Sequence, residues 1–316
     1  MPSLKELLLE VKDQVKQDNV PVSAAGIAFF GFFALFPALG ALIAVYGMVA
    51  DPAEVPTQLN ETLAGAPEGL REFIVEEATS IAESSGGALG FGVAVGILIA
   101  IWSASGAIKH LLAALNRVYG FRETRGFASL RGASYSFTLG TVLALALAMF
   151  GLAVLPGLLA ALDMGPFGRV VIGILRFPGL VLFMAICLSI LYHLGPDRPT
   201  RGKFRWVTKG SMIATVMWIV LCGLLSIYIT ASTSGDASPT AALLAVLTSL
   251  MLFLNVTALC VLIGAEIDAT IEMMERRERA ADEEKVTAAM TRSGKATISG
   301  ALLGTAIGVV LGRPKK

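Results

Sequence analysis

The amino-acid sequence predicts an all-α fold: a polytopic membrane helix bundle of six transmembrane helices, with both termini in the cytoplasm (N-in/C-in). An amphipathic N-terminal helix and a glycine-striped C-terminal segment flank it. Three observations carry this reading. Of 316 residues, 55% are hydrophobic and only 16% charged, with mean hydropathy +0.73. A soluble domain carries about 25% charged residues to solvate its surface, so much of this surface faces lipid rather than water. Six apolar runs are long enough to cross a bilayer, and Lys and Arg gather in alternate connections between them.

The chain opens with charge. Lys5, Glu6, Glu10, Lys12, Asp13, Lys16 and Asp18 precede any long apolar run, which is not the pattern of a signal peptide. Leu4, Leu7, Leu8, Val11 and Val15 recur at helical spacing, and Ser3 with Glu6 fits a capping box. Residues 1–22 therefore read as a cytoplasmic amphipathic helix lying on the membrane surface.

A span needs about 20 mostly apolar residues. The first run extends from Ala24 to Val49, with a kink expected at Pro37, where the chain lacks a backbone donor. The second covers Leu89–Ile108 and the third Ser134–Leu162. The fourth begins at either Val170 or Pro178 and ends at Leu194. The fifth covers Val207–Thr230 and the sixth Ala241–Gly264. These make residues 23–268 the transmembrane domain.

Orientation follows the basic residues. Arg117, Arg122, Arg125 and Arg131 follow the second span, and Arg198, Arg201, Lys203, Arg205 and Lys209 follow the fourth. Arg276, Arg277, Arg279, Lys285, Arg292 and Lys295 follow the sixth, while the alternate connections hold only Arg71 and Arg169. The long outer segment 51–86 is acidic, and its Leu70, Phe73, Ile74 and Ile81 share one helical face. It reads equally as a solvated connector or as a lid over a cavity.

After the bundle, 269–295 forms a charged cytoplasmic tail. Residues 296–312 form an apolar helix with Gly300, Gly304, Gly308 and Gly312 on one stripe, where backbones approach closely. Packing against a neighbouring helix or a second copy, giving a homo-oligomer, is the expectation, and whether the segment crosses the membrane stays open.

Several function classes drop out. Net charge is +1, so no global basicity points to nucleic acid as a partner. Cys187, Cys222 and Cys260 sit in apolar runs without metal spacing and read as small core residues. There are two histidines, His110 and His193, far apart, and no HExxH, P-loop or GxSxG pattern. No cofactor or metal is expected, and the chain does not read as an enzyme.

Polar groups at membrane depth carry the functional expectation, because burying a charge there costs a few kcal/mol or more. If the fourth span begins at Val170, Arg176 lies about 10 Å inside the surface and calls for a phosphate, a carboxylate or water. If the span begins at Pro178, it sits at the interface. Lys109, His110, His193, Glu266 and Asp268 close the cytoplasmic ends of the spans, with Glu266 expected to pair with Lys109 or a loop arginine. Ser103, Ser105, Thr141 and Thr215 are expected to bond their own helix, which leaves Asn255 as the mid-span polar group worth attention. Arg176, Asn255, Glu266, Lys109 and His193 are thus the candidate substrate-binding residues.

Taken together, these segments resemble the YihY/BrkB family of bacterial inner-membrane proteins, formerly labelled ribonuclease BN. The first span runs Ala24-Ala25-Gly26-Ile27-Ala28-Phe29-Phe30 to Leu35-Phe36-Pro37. The second carries Trp102-Ser103-Ala104-Ser105 and Leu115-Asn116-Arg117-Val118-Tyr119. Leu191-Tyr192, Pro196, Trp206, Gly210, Tyr228, Gly235 and Gly264-Ala265-Glu266-Ile267-Asp268-Ala269 complete the match. The chain departs from the family pattern at Lys209-Gly210-Ser211 and Leu252-Phe253. The resemblance implies a multi-pass protein of the bacterial plasma membrane. It also implies that the ribonuclease label is a misassignment and that lipids or a lipid-linked substrate are the partners. Two functions follow as expectations: an ATP-independent transporter or flippase for a lipid-like substrate, or a non-catalytic scaffold acting through its tail and helix-packing surfaces.

Overall fold

In the computed structural model the described residues are 4–49, 55–62, 75–76, 79, 87–151, 165–199, 203–233 and 239–311, and they contain helices and no strand. The helices are α1 (Leu4–Gln17), α2 (Val20–Val49), α3 (Val55–Thr62), α4 (Gly87–Val118), α5 (Phe127–Met149), α6 (Gly165–Leu194), α7 (Lys209–Thr233) and α8 (Pro239–Leu311). Six of them are long and apolar enough to cross a membrane: α2, α4, α5, α6, α7 and α8. The chain divides into two compact units, Val11–Asp268 and Met1–Glu10 with Ala269–Lys316.

The first unit holds the spanning helices, and α2 packs most extensively on α4. Its outer faces are apolar: along α5, Leu139, Val142, Leu143, Leu145 and Leu147 are all exposed. A water-soluble chain keeps such a continuous apolar surface covered, and lipid is the solvent that suits it. The buried interior is built from small residues, among them Ala24, Ala28, Ala34, Ala185, Ala214, Ser105, Ser134 and Ser189. Small side chains let helices approach where lipid supplies no hydrophobic drive for association. Trp218 Nε1 donates to Thr257 Oγ1 at 2.9 Å, joining α7 to α8.

Several helices run past the expected ends, for local reasons. Helix α4 continues beyond Ile108 to Val118, so Arg117 sits in its last turn rather than in a loop. The extension packs inward through Leu112 and Leu115, both fully buried, and a basic residue at a helix C-terminus is favourable. Helix α5 starts at Phe127, seven residues ahead of Ser134. Helix α6 begins at Gly165 and passes through Pro178 without a break, so neither expected start coincides with the helix start. Pro37 likewise lies inside a continuous α2.

The largest difference is α8, which does not stop at Gly264 but runs unbroken to Leu311. Residues 265–287 contain no proline or glycine, so nothing there favours termination. Ion pairs one turn apart support the charged stretch: Arg276 with Glu272, Arg279 with Glu275 and Lys285 with Asp282. Gly300, Gly304 and Gly308 lie within this helix, whereas Gly312 lies outside the described residues, as does the expected Leu70, Phe73, Ile74 and Ile81 face of segment 51–86. In the second unit Arg277 reaches Glu10 at 3.5 Å.

Helices α7 and α8 come closest at two glycines. A Cβ on Gly264 would lie 2.5 Å from Ala214 Cβ and 2.6 Å from the Tyr192 hydroxyl, and one on Gly210 would meet the Gly264 carbonyl. Gly264→Ala is expected to lower stability by about 1–3 kcal/mol through overpacking, read as a lower melting temperature in detergent. An unchanged melting curve would mean that the two backbones separate freely at this contact.

Candidate functional site

The polar chemistry gathers at the arginine-rich ends of the spans, and it begins with a chain reversal. Helix α4 ends at Gly120, whose φ of 68° is a left-handed conformation that costs glycine little. Gly120 N–H bonds the Arg117 carbonyl at 2.9 Å and Phe121 N–H bonds the Asn116 carbonyl at 2.8 Å, the paired bonds of a Schellman cap. That cap sends the chain back across the helix end and brings residues 123–125 beside Asn116.

Asn116 is buried (3% exposed) and ties two loops together. Its Nδ2 donates to Glu123 Oε2 at 2.8 Å, and its Oδ1 accepts from the Asp197 amide at 2.6 Å. Arg125 forks onto both oxygens of Glu123, at 2.7 and 3.0 Å, and donates to the Gly195 carbonyl at 3.1 Å. The Thr124 amide and hydroxyl both donate to Asp197 Oδ2, at 2.7 and 2.5 Å. The Arg198 guanidinium lies 4.4 Å from the centre of the Tyr119 ring. This lock of Asn116, Glu123, Thr124, Arg125 and Asp197 satisfies its members completely enough to be rigid.

A second set of bonds fixes α7 against α8. Thr208 and Ser211 cap each other's amides at 3.1 and 3.0 Å, the reciprocal pattern of a capping box. The Gly210 amide donates to Asp268 Oδ1 at 2.7 Å, which places an anion at the start of α7 where its dipole favours one. The Tyr192 hydroxyl, fully buried, donates to the Val261 carbonyl at 2.7 Å.

The third feature is a carboxyl pair. Helices α1 and α2 meet at a tight corner where Asn19 adopts φ of 50°, a conformation asparagine tolerates better than most residues. The corner presents Asp18, whose carboxyl faces that of Glu266. Glu266 is 1% exposed, and its Oε1 has no hydrogen-bond partner. Arg117 donates to the Asp18 carbonyl at 3.4 Å and to Ser23 Oγ at 3.1 Å. Burial pushes the Asp18 carboxyl above its ordinary value, while the charge of Arg117 draws it back.

Of the residues singled out from sequence, the structure brings Glu266 to Asp18 rather than to Lys109 or a loop arginine. Lys109 is exposed, and His110 stacks on Phe30 with ring centres 4.1 Å apart. His193 is half-buried with its ring edge-on to Phe204 at 5.3 Å, and Asn255 is half-buried in α8. Arg176 falls within α6, and its side chain lies outside the described residues. Ser105, Thr141 and Thr215 bond their own helix as expected. From sequence Asp18 reads only as one of the N-terminal charges, and nothing singles out Asp197. The signal available was the Asp18-Asn19 corner directly before the apolar run, and a lone carboxylate after Gly195-Pro196.

The family model described as virulence factor BrkB matches residues 11–288. The chain belongs to the BrkB family. A protein of Bacillus subtilis (strain 168) named ribonuclease-like YfkH is 28% identical over 275 residues, which cover 82% of this chain and 92% of that protein. No solved structure matches. The BrkB match covers Asp18, Asn116, Asp197 and Glu266 alike, so the lock and the carboxyl pair both lie inside the family region. Among the described residues no group of three or more His, Cys, Asp or Glu side chains could hold a metal ion.

The Thr124 hydroxyl and then its amide hold the Asp197 carboxyl below the usual carboxylate range, with a smaller contribution from Arg125. A lowered folded-state value stabilises the fold above the unfolded value of about 4 and is lost as pH falls through that region. Melting temperature should therefore drop on acidification, and the drop should be smaller in Asp197→Asn, which no longer titrates there. Asn116→Ala, which strands the Asp197 amide, is expected to cost about 1–3 kcal/mol at neutral pH, measured in the same melts.

Proposed function

We propose that this chain is a transporter of the bacterial inner membrane that moves an amphipathic, lipid-like substrate across the bilayer without ATP. The observation that carries the reading is Glu266, fully buried in α8 with one carboxyl oxygen lacking a partner. A carboxyl held in a membrane helix is expensive to keep and marks a functional position more often than a structural one. The basic residues after the second, fourth and sixth spans support an arrangement in which both termini face the cytoplasm. Arg176, one turn or more inside α6, supplies a positive charge that would suit a phosphate-bearing head group.

The ribonuclease-like name of YfkH offers a rival. Metal-assisted phosphodiester cleavage needs clustered carboxylates or histidines, and the described residues contain no group of three or more such side chains that could hold a metal ion. The charged and glycine-striped end of α8 offers another, a scaffold that binds partners through residues 288–316.

Reconstitution into liposomes with head-group-labelled lipid tests the reading. Protein-dependent movement between leaflets is expected, reduced by about tenfold in Glu266→Ala, the loss expected when a buried polar group worth about 1–3 kcal/mol is removed, and reduced also in Arg176→Ala. Deleting 288–316 should leave movement intact. Movement no faster than in empty liposomes would sink the lipid-transport reading, and loss of bound partners on that deletion would favour the scaffold.

A further inference from the structure

Arg131 sits in the second turn of α5, inside a segment long and apolar enough to cross the membrane. A guanidinium in that position is costly without a counter-charge, and among the described residues no carboxylate pairs with it. Its contacts are of another kind. Its Nη1 donates to Ser105 Oγ at 3.3 Å, and its central carbon lies 4.1 Å from the centre of the Trp102 ring and 5.9 Å from that of Phe127. Ser105 is fully buried and its hydroxyl donates to the Trp102 carbonyl at 2.7 Å, so its oxygen serves Arg131 as an acceptor.

Stacking on tryptophan occupies the flat face of a guanidinium, whereas its donors radiate in the plane. Ser105 takes one of these donors and leaves the others for an acceptor from outside the bundle. The approach is from the lipid side, because Trp102 is 58% exposed and Phe127 76% exposed. Lipid phosphates are the paired oxygens that a bilayer presents near its surface, and they match the fork of arginine.

Two neighbouring features extend the fit. Lys109 is exposed and lies about two turns beyond Trp102 on the same face of α4. In the other direction Val95, Leu98, Ile99 and Trp102 recur at helical spacing and are all exposed, an apolar stripe leading away from the arginine-rich end. We propose that this surface of α4 and α5 binds an anionic phospholipid, with its phosphate on Arg131, Lys109 alongside, and an acyl chain along the stripe. Two cations at one phosphate select against a choline head group, which brings a positive charge of its own. The site uses neither Glu266 nor Arg176, and its lipid is bound whether or not the bundle moves another.

The test places the full chain in phosphatidylcholine nanodiscs with Trp206→Phe and Trp218→Phe, which leaves Trp102 as the reporter. Bromine-labelled acyl chains quench a tryptophan that they touch. Brominated phosphatidylglycerol is expected to quench Trp102 at about tenfold lower mole fraction than brominated phosphatidylcholine, the preference that a charge-assisted hydrogen bond gives. In Arg131→Gln the preference should vanish, and in Lys109→Gln it should fall about two- to threefold, as for an exposed ion pair. Native mass spectrometry of the unsubstituted chain decides the matter where a tryptophan variant fails to fold: phosphatidylglycerol should stay bound where phosphatidylcholine is lost. Equal quenching by the two lipids, a preference that survives Arg131→Gln, or no retained phosphatidylglycerol would overturn the proposal. Displacement of the lipid by soluble glycerol phosphate would also overturn it, in favour of a water-borne phosphate ligand.

Discussion

In hydrocarbon a backbone amide or carbonyl finds no water, and every such group has to be bonded within the chain. Helices α2, α4, α5, α6, α7 and α8 meet that requirement along their lengths, and what remains are their ends. A helix leaves about four donors and four acceptors without intrahelical partners at its two termini. The polar residues of this protein are concentrated where those groups emerge. The Gly120 cap closes α4, the Thr208 and Ser211 pair opens α7, and Asp268 covers the Gly210 amide. The lock at Asn116 grows from the first of these and the tight contact at Gly264 sits beside the last.

Small residues and polar ends divide the work between them. Ala214 against Gly264 and the buried alanines of α2 let helices approach, and dispersion between close backbones holds them. That packing is permissive about rotation and sliding. Side-chain bonds with fixed geometry, such as Tyr192 to the Val261 carbonyl and Trp218 to Thr257, set the register that small residues leave loose. Small residues supply close approach between helices, and side-chain bonds supply their alignment.

How far the sequence revealed this depends on the physics behind each feature. The spans were legible because hydrophobic length is a one-dimensional quantity, and the six expected runs coincide with six long helices. Their ends were less so. Arg117 read as a loop residue because positive charge marks the water side, yet a helix persists past the interface when Leu112 and Leu115 bury one of its faces. Gly264 read as a stop, but glycine ends a helix only when it adopts a left-handed conformation, and here it serves close packing. Glu266 drew attention because a short acidic side chain directly after an apolar run needs a partner. The partner was sought among cations, following charge complementarity, whereas the structure supplies Asp18, 248 positions earlier and of the same sign. Asn116 and Tyr192 stood out only through the family resemblance, because nothing local in either stretch announces a bond to Asp197 or to Val261.

The bond from Asn116 to the Asp197 amide spans 81 positions, and α5 and α6 lie between its two ends. Its near half is local: Glu123 and Arg125 emerge from the ribosome within ten residues of Asn116 and close around it at once. Its far half waits until the intervening chain has left this face of the bilayer and come back. The two halves can join only after an even number of crossings, because an odd number would strand Asp197 on the opposite face. The bond between Asn116 and the Asp197 amide is therefore compatible with α5 and α6 both crossing, and not with one of them crossing alone. A chain in which α5 or α6 alone failed to cross would keep Asn116 and Asp197 on separate sides, with the local bonds of Glu123 and Arg125 made and those to residues 195–197 unmade.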